Sequence, residues 1–503
     1  MKTSFPVKLG LSSALACLFI VLFGFVAFPK IIKSKVKQMV NLGHGTDIRD
    51  VFLEFPFPFK FNVYVFNVTN PKDVQNGALP HVIEVGPFCY DEWKVKLNVT
   101  DNEAKDTISY IPRDTFTKSS GPHCKSGQME ITIPNAIILA TVNSVVRTKP
   151  GALGVINKAF KTIFDNPESV FLTAKVDDIL FDGIEINCGV TDFAGKATCV
   201  ELRESPALKA RGNMLEFSFL GYKNATVQSS IRALRGTKNY RDVGRIVEYN
   251  GTADGLSTWP TKECNTITGT DGTVFPPLMK KEEGLKNFSP DICRSLTPFW
   301  VKRTVYDGIP VNKFTASLGD MSTNPEEKCY CYTNTTCLKK GIMDLYKCNS
   351  VPIYASLPHF YDADKSYVEG VRGLKPNQKD HEISILFEQM TGSPLQVRKR
   401  LQFSMALEST QKVDLFKNVT NTIIPLFWVE ESLDLNRTFT KPLKMLYTLK
   451  SVVNIFTWLI LIGSFGGMTG AAYLFYKNNN AAVMTVTNKV NETVGSQNEE
   501  DKY

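Results

Sequence analysis

The chain has 503 residues, of which 58 are basic and 50 acidic, so its formal net charge is +8. That charge is small for this length and excludes a strong electrostatic case for nucleic acid as a partner. A mean hydropathy of −0.11 excludes a polytopic membrane protein but not one or two spans, and five histidines with no pair four residues apart exclude an H-E-x-x-H metal site.

Two apolar runs, one near each end of the chain, predict two transmembrane helices. Residues 9–28 carry no charge, and twenty residues at about 1.5 Å rise per residue cross the roughly 30 Å hydrocarbon core of a bilayer. Residues 452–476 form a second run without a charge. An A-x-A sequence at residues 14–16 is typical of a signal-peptide cleavage site, but the apolar run continues for twelve residues beyond it. The first run therefore predicts an uncleaved anchor.

The loop between the spans, residues 29–451, is predicted to be extracellular at the plasma membrane, with residues 1–8 and 477–503 in the cytosol. Lysines directly after the first span oppose this orientation, but charge bias counts little for so long a loop. The loop holds ten of the eleven cysteines, which indicates an oxidising compartment. The Asn- and Thr-rich tail predicts disorder. Eight sequons in the loop predict glycosylation at Asn67, Asn98, Asn224, Asn250, Asn287, Asn334, Asn418 and Asn436.

Alternation of apolar and polar residues predicts half-buried strands along the whole loop. In one segment Trp93, Val95 and Leu97 alternate with Lys94 and Lys96. The spread of such segments predicts one large, mostly antiparallel sheet or barrel in a single domain. Three further segments show the pattern, at residues 215–219, 383–387 and 401–407.

The period changes to about 3.6 between residues 134 and 164, which predicts a helical hairpin inserted into the β domain. One helix is predicted over residues 135–147, and a Pro-Gly pair separates it from the next. The second helix has an apolar face and two lysines elsewhere, which are either a solvated face or a patch that steers anionic or amphiphilic cargo. The candidate ligand-capture residues of this cap are Leu153, Ile156, Phe160, Lys158 and Lys161.

Six cysteines late in the loop predict a disulfide-bonded region. Cys329 and Cys331 are too close in sequence to pair without strain, which still leaves twelve of the fifteen pairings open. Their spacing does not fit a zinc site. The pairing of the other four loop cysteines is equally open. The six are Cys264, Cys293, Cys329, Cys331, Cys337 and Cys348; the four are Cys89, Cys124, Cys188 and Cys199.

No catalytic, metal or cofactor motif is present in the sequence. It contains no G-x-S-x-G, no P-loop and no G-x-G-x-x-G. Adjacent acids such as Asp177-Asp178 and Glu430-Glu431 point apart on a strand, and we interpret them as solvated charges. The sequence therefore predicts that the protein is not an enzyme and needs no cofactor.

A two-span ligand-gated ion channel is an alternative that the number of spans allows. Asn454, Thr457, Ser464 and Thr469 in the second span would then line a pore. Glycines in the same span form overlapping G-x-x-x-G pairs, which favour packing against the first span or, in an oligomer, against a second copy. These glycines are Gly463, Gly466, Gly467 and Gly470.

Several short stretches indicate a family. On these stretches, and on the late cysteine cluster with its C-x-C, the chain resembles the class B scavenger receptor family of two-span membrane glycoproteins. FDNP at 164–167 and INC at 186–188 are similar to its insect sensory neuron membrane protein branch. DFAGKA at 192–197 and DVGRIV at 242–247 are similar to the second subtype of that branch. The family stretches are FNVTNP at 66–71, EVGPF at 84–88, GTDGT at 269–273, SLPHF at 356–360 and KRLQF at 399–403.

The resemblance implies an α+β fold. Its ectodomain would be a large antiparallel β-barrel with a helical cap and an internal hydrophobic tunnel, anchored by two transmembrane helices. Carried over position by position, the resemblance also implies the disulfides Cys264–Cys329, Cys293–Cys348 and Cys331–Cys337.

The resemblance further implies a cell-surface lipid-binding receptor or co-receptor in olfaction. It would capture lipid-like odorants or pheromones and pass them through the tunnel toward the membrane and odorant receptor subunits, or clear them. The alternative within the family is a scavenger or adhesion receptor for lipid particles or dying cells. Residues 164–168 contain no lysine where scavenger members have lysines near the tunnel mouth, so we expect neutral cargo such as esters, aldehydes or alcohols.

Overall fold

The computed structural model describes residues 4–253, 255–333 and 336–500, with side chains described up to residue 491. The chain forms two compact units. The membrane unit comprises the residues up to Val36 together with those from Asn436 onward, and the loop unit is Lys37–Leu435. The loop unit contains nearly all of the predicted ectodomain.

The membrane unit contains two long apolar helices. Both are long and apolar enough to cross a bilayer, at Phe5–Met39 and Arg437–Asn491, and they include the two predicted spans. The second helix runs on to Glu500, so the predicted disorder is wrong for residues 477–500. A helix that continues from a span needs no new nucleation, and this lowers the cost of extending it through polar residues.

Small residues bring the two apolar helices together. A Cβ on Gly467 would lie 2.2 Å from Ser13 Oγ, and one on Gly24 would lie 2.5 Å from Thr457 Oγ1. The rings of Phe25 and Trp458 meet edge to face, with centroids 5.9 Å apart. The second span therefore packs on the first through Gly467 and Thr457.

The described residues form twelve α-helices. Short 3₁₀ helices and two π-helical segments, Val21–Ala27 and Asp178–Asp182, connect other elements. The α-helices are α1 (Phe5–Ile20), α2 (Phe28–Met39), α3 (Asp47–Leu53), α4 (Pro71–Gln75), α5 (Ala136–Thr148), α6 (Leu153–Ile163), α7 (Phe193–Arg203), α8 (Lys262–Asn265), α9 (Tyr346–Asn349), α10 (Lys365–Glu369), α11 (Gln378–His381) and α12 (Arg437–Glu500).

The loop unit is built on antiparallel strands. They are β1 (Phe59–Val68), β2 (Val82–Asn102), β3 (Thr107–Lys118), β4 (Glu130–Pro134), β5 (Phe171–Lys175), β6 (Ile184–Asn187), β7 (Leu208–Arg211), β8 (Met214–Phe217), β9 (Ile231–Leu234), β10 (Ile246–Tyr249), β11 (Thr252–Ala253), β12 (Asn287–Ser289), β13 (Arg294–Leu296), β14 (Phe299–Tyr306), β15 (Ile309–Thr315), β16 (Ile342–Asp344), β17 (Tyr354–Ser356), β18 (Ser384–Glu388), β19 (Ser393–Leu407) and β20 (Thr422–Asp434).

Thirteen of these strands share one sheet, with the order β11-β10-β9-β3-β2-β1-β20-β19-β18-β15-β14 and with β16 and β17 joined through β19. Every ladder in it is antiparallel. Within the described ranges, β11 and β14 end the path and do not pair with each other. The large antiparallel sheet is thus confirmed, whereas the strand pairing does not close it into a barrel.

The helical insertion lies where the sequence period predicted it. Asn135 caps α5, because its Oδ1 accepts from the backbone N–H groups of Ile137 and Ile138. Inside α5, Asn143 Nδ2 donates to the carbonyl of Ala406 at 2.9 Å and ties the helix to β19. Helix α6 packs on α5 and on α7, which the periodicity did not reveal. The cap therefore has three helices rather than two.

Strand β2 is present, but its inward face is not the one that the alternation suggests. Trp93 is 41% exposed, whereas Glu92 is only 3% exposed. The side chains of Lys94 and Lys96 are 22% and 8% exposed. The two lysines point inward because acids lie there: Lys94 contacts Asp114 and Glu431 of other strands, and Lys96 contacts Asp271 of a loop. These contacts override hydrophobic alternation.

Candidate ligand-binding face

Five strands of the main sheet turn one common face toward the interior of the loop unit. In the ladders, Phe61 stands opposite Tyr90 and Glu431, and Phe403 stands opposite Phe427. Because side chains alternate along a strand, the register assigns all of these residues to one face. We call this face of β1, β2, β3, β19 and β20 the inner face.

One part of the inner face is aromatic. The ring of Phe61 lies 4.8 Å from that of Phe116, which lies 5.8 Å from Phe181. A second set joins Phe427 to Phe219 at 4.7 Å and to Phe403 at 5.2 Å. Phe61 and Phe427 are buried, but the other four rings are only half-buried. The face thus keeps accessible apolar surface, which favours binding of a hydrocarbon chain at about 0.8 kcal/mol per CH₂ buried.

A group of charged side chains occupies another part of the same face. Lys94 Nζ lies 2.6 Å from Glu92 Oε1, 3.4 Å from Glu431 Oε1 and 3.6 Å from Asp114 Oδ1. Lys399 Nζ lies 3.2 Å from Glu431 Oε2. We call these five residues the charged cluster. Its members come from four strands, and only the folded sheet brings them together.

The two glutamates of the charged cluster have opposite pKa shifts. Burial raises the pKa of Glu92 to about 8, although the charge of Lys94 opposes this shift. Burial also raises the pKa of Glu431, but the ammonium groups of Lys399 and Lys94 outweigh it and hold that pKa at about 2. Environments that separate two carboxyl groups in this way leave one neutral and one ionised at neutral pH.

The charged cluster extends to a second ion pair. Lys223 Nζ bonds Asp291 Oδ1, and their side chains are 43% and 40% exposed. Burial is the largest influence on the pKa of Lys223, and the charge of Asp291 outweighs it and raises that pKa. The charges of Lys223 and Lys399 lower the pKa of Asp291.

The acid pair Glu430-Glu431 is not a pair of solvated charges. The two side chains do point to opposite faces of β20, as adjacent residues of a strand must. Glu431 joins the charged cluster, while Glu430 Oε2 accepts from Arg400 Nε at 2.8 Å on the other face. Asp177 is likewise 4% exposed and accepts from Gln128 at 2.9 Å. The sequence interpretation of these acids is therefore wrong.

The candidate cap residues divide between interior and surface. Leu153, Ile156 and Phe160 are 3%, 7% and 2% exposed and belong to the same hydrophobic cluster as Phe61 and Phe427. The other two candidates, Lys158 and Lys161, are exposed, and Lys161 lies 4.0 Å from Asp414. The five therefore do not form one surface: the apolar three contribute to the interior, and the lysines face solvent.

Five disulfides tie the loop unit together. Three are the pairs that the resemblance implies, Cys264–Cys329, Cys293–Cys348 and Cys331–Cys337. The other two, Cys89–Cys124 and Cys188–Cys199, join cysteines whose pairing the sequence left open. The second of these fastens α7 to the segment after β6.

The sequons differ in accessibility. Asn67 and Asn224 are half-buried, and their Oδ1 atoms accept from the backbone N–H groups of Thr132 and Phe116. Asn287 is half-buried in β12. Asn334 lies outside the described residues. Four sequon asparagines are exposed, namely Asn98, Asn250, Asn418 and Asn436.

Glu84, His359 and His381 form a compact group on the opposite side of the sheet, with candidate metal-ligand atoms within 4.8 Å of one another. Each imidazole Nδ1 accepts a backbone N–H, from Lys375 and Asn377 respectively. In a neutral imidazole the proton must then sit on Nε2, and His359 Nε2 donates it to Glu84 at 2.6 Å. The group is thus arranged for hydrogen bonding rather than for holding a metal ion.

Sequence reasoning missed both the charged cluster and this histidine group. Glu431, which contacts Lys94, and His359, which contacts Glu84, lie more than 250 residues away in the chain, so no local pattern links these pairs. Two of the family stretches did give a partial signal. KRLQF contains Lys399 of the charged cluster, and SLPHF contains His359 of the histidine group.

Comparison with known proteins gives a consistent result over the whole chain. The sequence profile of the CD36 family matches residues 11–475. Sensory neuron membrane protein 1 of Ostrinia furnacalis is 40% identical, with 99% of this chain and 97% of that protein aligned. The protein of the same name from Bombyx mori is also 40% identical, with 100% of this chain and 97% of that protein aligned. The one from Apis mellifera is 40% identical as well, with 96% of this chain and 93% of that protein aligned.

Proposed function

The chain belongs to the CD36 family, and from that premise we propose that it is a cell-surface receptor or co-receptor of insect chemosensation. In this role it captures lipid-like odorants or pheromones and passes them toward the membrane, for delivery to odorant receptor subunits or for clearance. Membership of the family makes the chain a membrane receptor rather than an enzyme. The sensory role rests on the names of the relatives, which refer to sensory neurons.

The inner face is the observation that carries the proposal. It offers the half-buried aromatic rings of Phe116 and Phe403, with Phe219 packed against it, beside a patch of polar groups. A long-chain odorant has the matching construction, with one long apolar chain and one small oxygen-bearing head. Leaving a twelve-carbon chain in water costs roughly 10 kcal/mol, at about 0.8 kcal/mol per CH₂, so a protein surface that covers the chain gains much of that free energy.

We infer that this face borders an internal space rather than the outside. On this face Phe116 and Phe403 are only half-buried, although they lie beside the buried rings of Phe61 and Phe427. A space for a ligand chain against these rings would account for their partial accessibility. Such a space would be the tunnel of the family resemblance, and Leu153, Ile156 and Phe160 would pack around its cap end.

The proposal also includes the topology. Both termini would be cytosolic, and the loop unit would be extracellular and glycosylated at the exposed sequons. We assign the second subtype on residues 192–197 and 242–247, although the relatives named above carry the name of the first. An oligomer through the second span would use Gly463, Gly466 and Gly470, since Gly467 already packs on the first span.

Photo-crosslinking of the full chain tests the proposal. The glycosylated protein in nanodiscs would be labelled with a clickable, diazirine-bearing sixteen-carbon methyl ester, and the labelled residues mapped by mass spectrometry. Label is expected on peptides that contain Phe116, Phe181 or Phe219. Phe219→Ala should weaken competition by unlabelled ester about tenfold, since one buried phenyl ring contributes roughly 1.5–3 kcal/mol.

Phe193→Ala is the matched control. Phe193 is 82% exposed and lies on α7, not on a strand of the inner face. Its competition curve should equal that of the parent protein. Labelling without competition, or labelling that follows Phe193 rather than the inner face, would overturn the proposal. Binding of intact lipid particles without capture of single esters would favour the scavenger or adhesion alternative.

A further inference from the structure

Glu92 has a carboxyl oxygen without a partner in the described structure. Its Oε1 contacts Lys94 Nζ at 2.6 Å, but its Oε2 is buried and has no hydrogen bond. The whole residue is only 3% exposed. A buried polar oxygen that is left unpaired carries a desolvation cost, so a group that bonds it on arrival gains binding free energy.

The charge balance around Glu92 disfavours an anion as that group. The charged cluster and its extension contain four carboxyl groups, those of Glu92, Asp114, Glu431 and Asp291, and three lysines. Burial raises the pKa of Glu92 to about 8, which makes it a neutral acid at pH 7 and leaves three negative charges against three positive ones. A carboxylate ligand would add a charge for which no cation remains.

The position of the charged cluster fits the head of an amphiphile. Glu92 stands opposite Phe116 in the ladder of β2 and β3, and Glu431 stands opposite Phe61 in the ladder of β1 and β20. Aromatic rings of the inner face thus lie directly across the ladders from the two glutamates. A ligand lying along the face would have its chain on the rings and its head at Glu92 and Lys94.

We propose that the charged cluster binds the neutral, oxygen-bearing head of a long-chain amphiphile, whose carbonyl or hydroxyl oxygen accepts from the Glu92 carboxyl group and the Lys94 ammonium group. This inference rests on the proposed function and adds the class of head group that the face selects. Alcohols and esters are bound better than either alkanes, which cannot bond Glu92, or carboxylates, which upset the charge balance.

Competition against the same photo-probe measures this selection. Hexadecanol, methyl palmitate, palmitate and hexadecane would each compete on the full chain in nanodiscs. Hexadecanol and methyl palmitate are expected to compete at least tenfold better than hexadecane, with palmitate weaker than its ester. Glu92→Leu should remove the advantage of the oxygenated ligands and leave hexadecane unchanged, whereas Glu92→Gln, which keeps a donor, should retain most of it.

Glu201→Leu is the control, because Glu201 is an exposed acid on α7. Equal competition by all four ligands would overturn the inference while the proposed function stands, and absence of any saturable labelling would overturn the proposed function itself. Should Glu92→Leu fail to fold, the unmodified protein still decides. The preference for methyl palmitate, whose ester can only accept a hydrogen bond, over hexadecane should fall between pH 6.5 and 9.5 as Glu92 ionises, and a constant preference would refute the role of its proton.

Discussion

The indole of Trp428 lies flat on the phenol ring of Tyr64, with ring centroids 3.9 Å apart and planes 4° from parallel. This pair occupies the face of β1 and β20 opposite to the inner face. Trp428 Nε1 donates to Glu84 Oε2 at 2.7 Å, and His359 Nε2 donates to the same oxygen at 2.6 Å. The ring of His381 stacks on that of His359 at 4.4 Å. One carboxylate therefore organises two imidazoles and an indole behind the sheet, which makes this region sensitive to acid.

Acid is expected to destabilise the protein through His381. Burial, together with the charge of the neighbouring His359, lowers the pKa of His381 to about 4. The unfolded chain, with a pKa near 6.5, takes up the proton first, so stability falls as the pH drops from about 6.5 to 4. The loss approaches about 3 kcal/mol at the lower end, from a shift of about two and a half pKa units. Thermal unfolding of the full chain between pH 7 and 4 measures it.

His381→Gln should flatten this pH dependence, because the glutamine oxygen can still accept from the Asn377 N–H without titrating. His123→Gln is the control, since His123 is exposed. A variant at position 381 that loses stability as steeply as the parent protein would show that another group is responsible.

The contribution of Glu92 to stability is expected to depend on pH in the opposite sense, so that the protein loses stability toward alkaline pH. Its pKa is about 8 in the folded chain and near its ordinary value of 4.5 when unfolded. The folded state therefore holds a proton that the unfolded state releases, and stability falls as the pH rises from about 4.5 to 8. Glu92→Gln keeps the shape and removes the titration. Its unfolding midpoint should match the parent at pH 5 and exceed it at pH 9.

Glu201→Gln provides the comparison for an exposed acid. If the difference between Glu92→Gln and the parent protein were the same at pH 5 and pH 9, the carboxyl group of Glu92 would not be the one that burial keeps protonated.

Local periodicity predicted the helical cap, since a buried stripe repeats every turn of a helix. The predicted helix over 135–147 is α5, and Leu153, Ile156 and Phe160 are buried as one face of α6. The face of β2 was not predictable in this way. Lys94 points inward toward acidic partners, one of which is Glu431 of β20 at 3.4 Å from its Nζ, and such pairing across distant strands leaves no local trace.

The same distinction explains the disulfides and the tail. Cys264–Cys329 and its two neighbouring pairs followed from resemblance, not from spacing, which allowed twelve arrangements. The helix beyond residue 477 was missed because the prediction used the composition of the tail alone. It did not consider that the helix of the preceding span could continue into the tail. Features set by one segment were thus readable in the sequence, and features set by two distant segments were not.

The N-cap of α5 should contribute measurably to stability. Asn135 is 8% exposed, and its Oδ1 accepts from the N–H groups of Ile137 and Ile138. Asn135→Ala leaves these donors unpaired inside the protein, and the expected loss is about 1 kcal/mol. The change should appear as a lower unfolding midpoint by circular dichroism. Ser144→Ala in the same helix is the control, and it should leave the midpoint unchanged or slightly higher.

Packing of the two spans depends on Gly467. A Cβ there would lie 2.2 Å from Ser13 Oγ, whereas a Cβ on Gly466 meets nothing within 4 Å. Gly467→Val should therefore push the helices apart, and Gly466→Val should not, although both add the same side chain to the same helix. Cysteines introduced at Gly10 and Ala471, whose Cβ positions are 3.3 Å apart, would report the separation through crosslinking in nanodiscs. Crosslinking should fall strongly for Gly467→Val alone. A fall for Gly466→Val instead would mean that the second span turns a different face to the first.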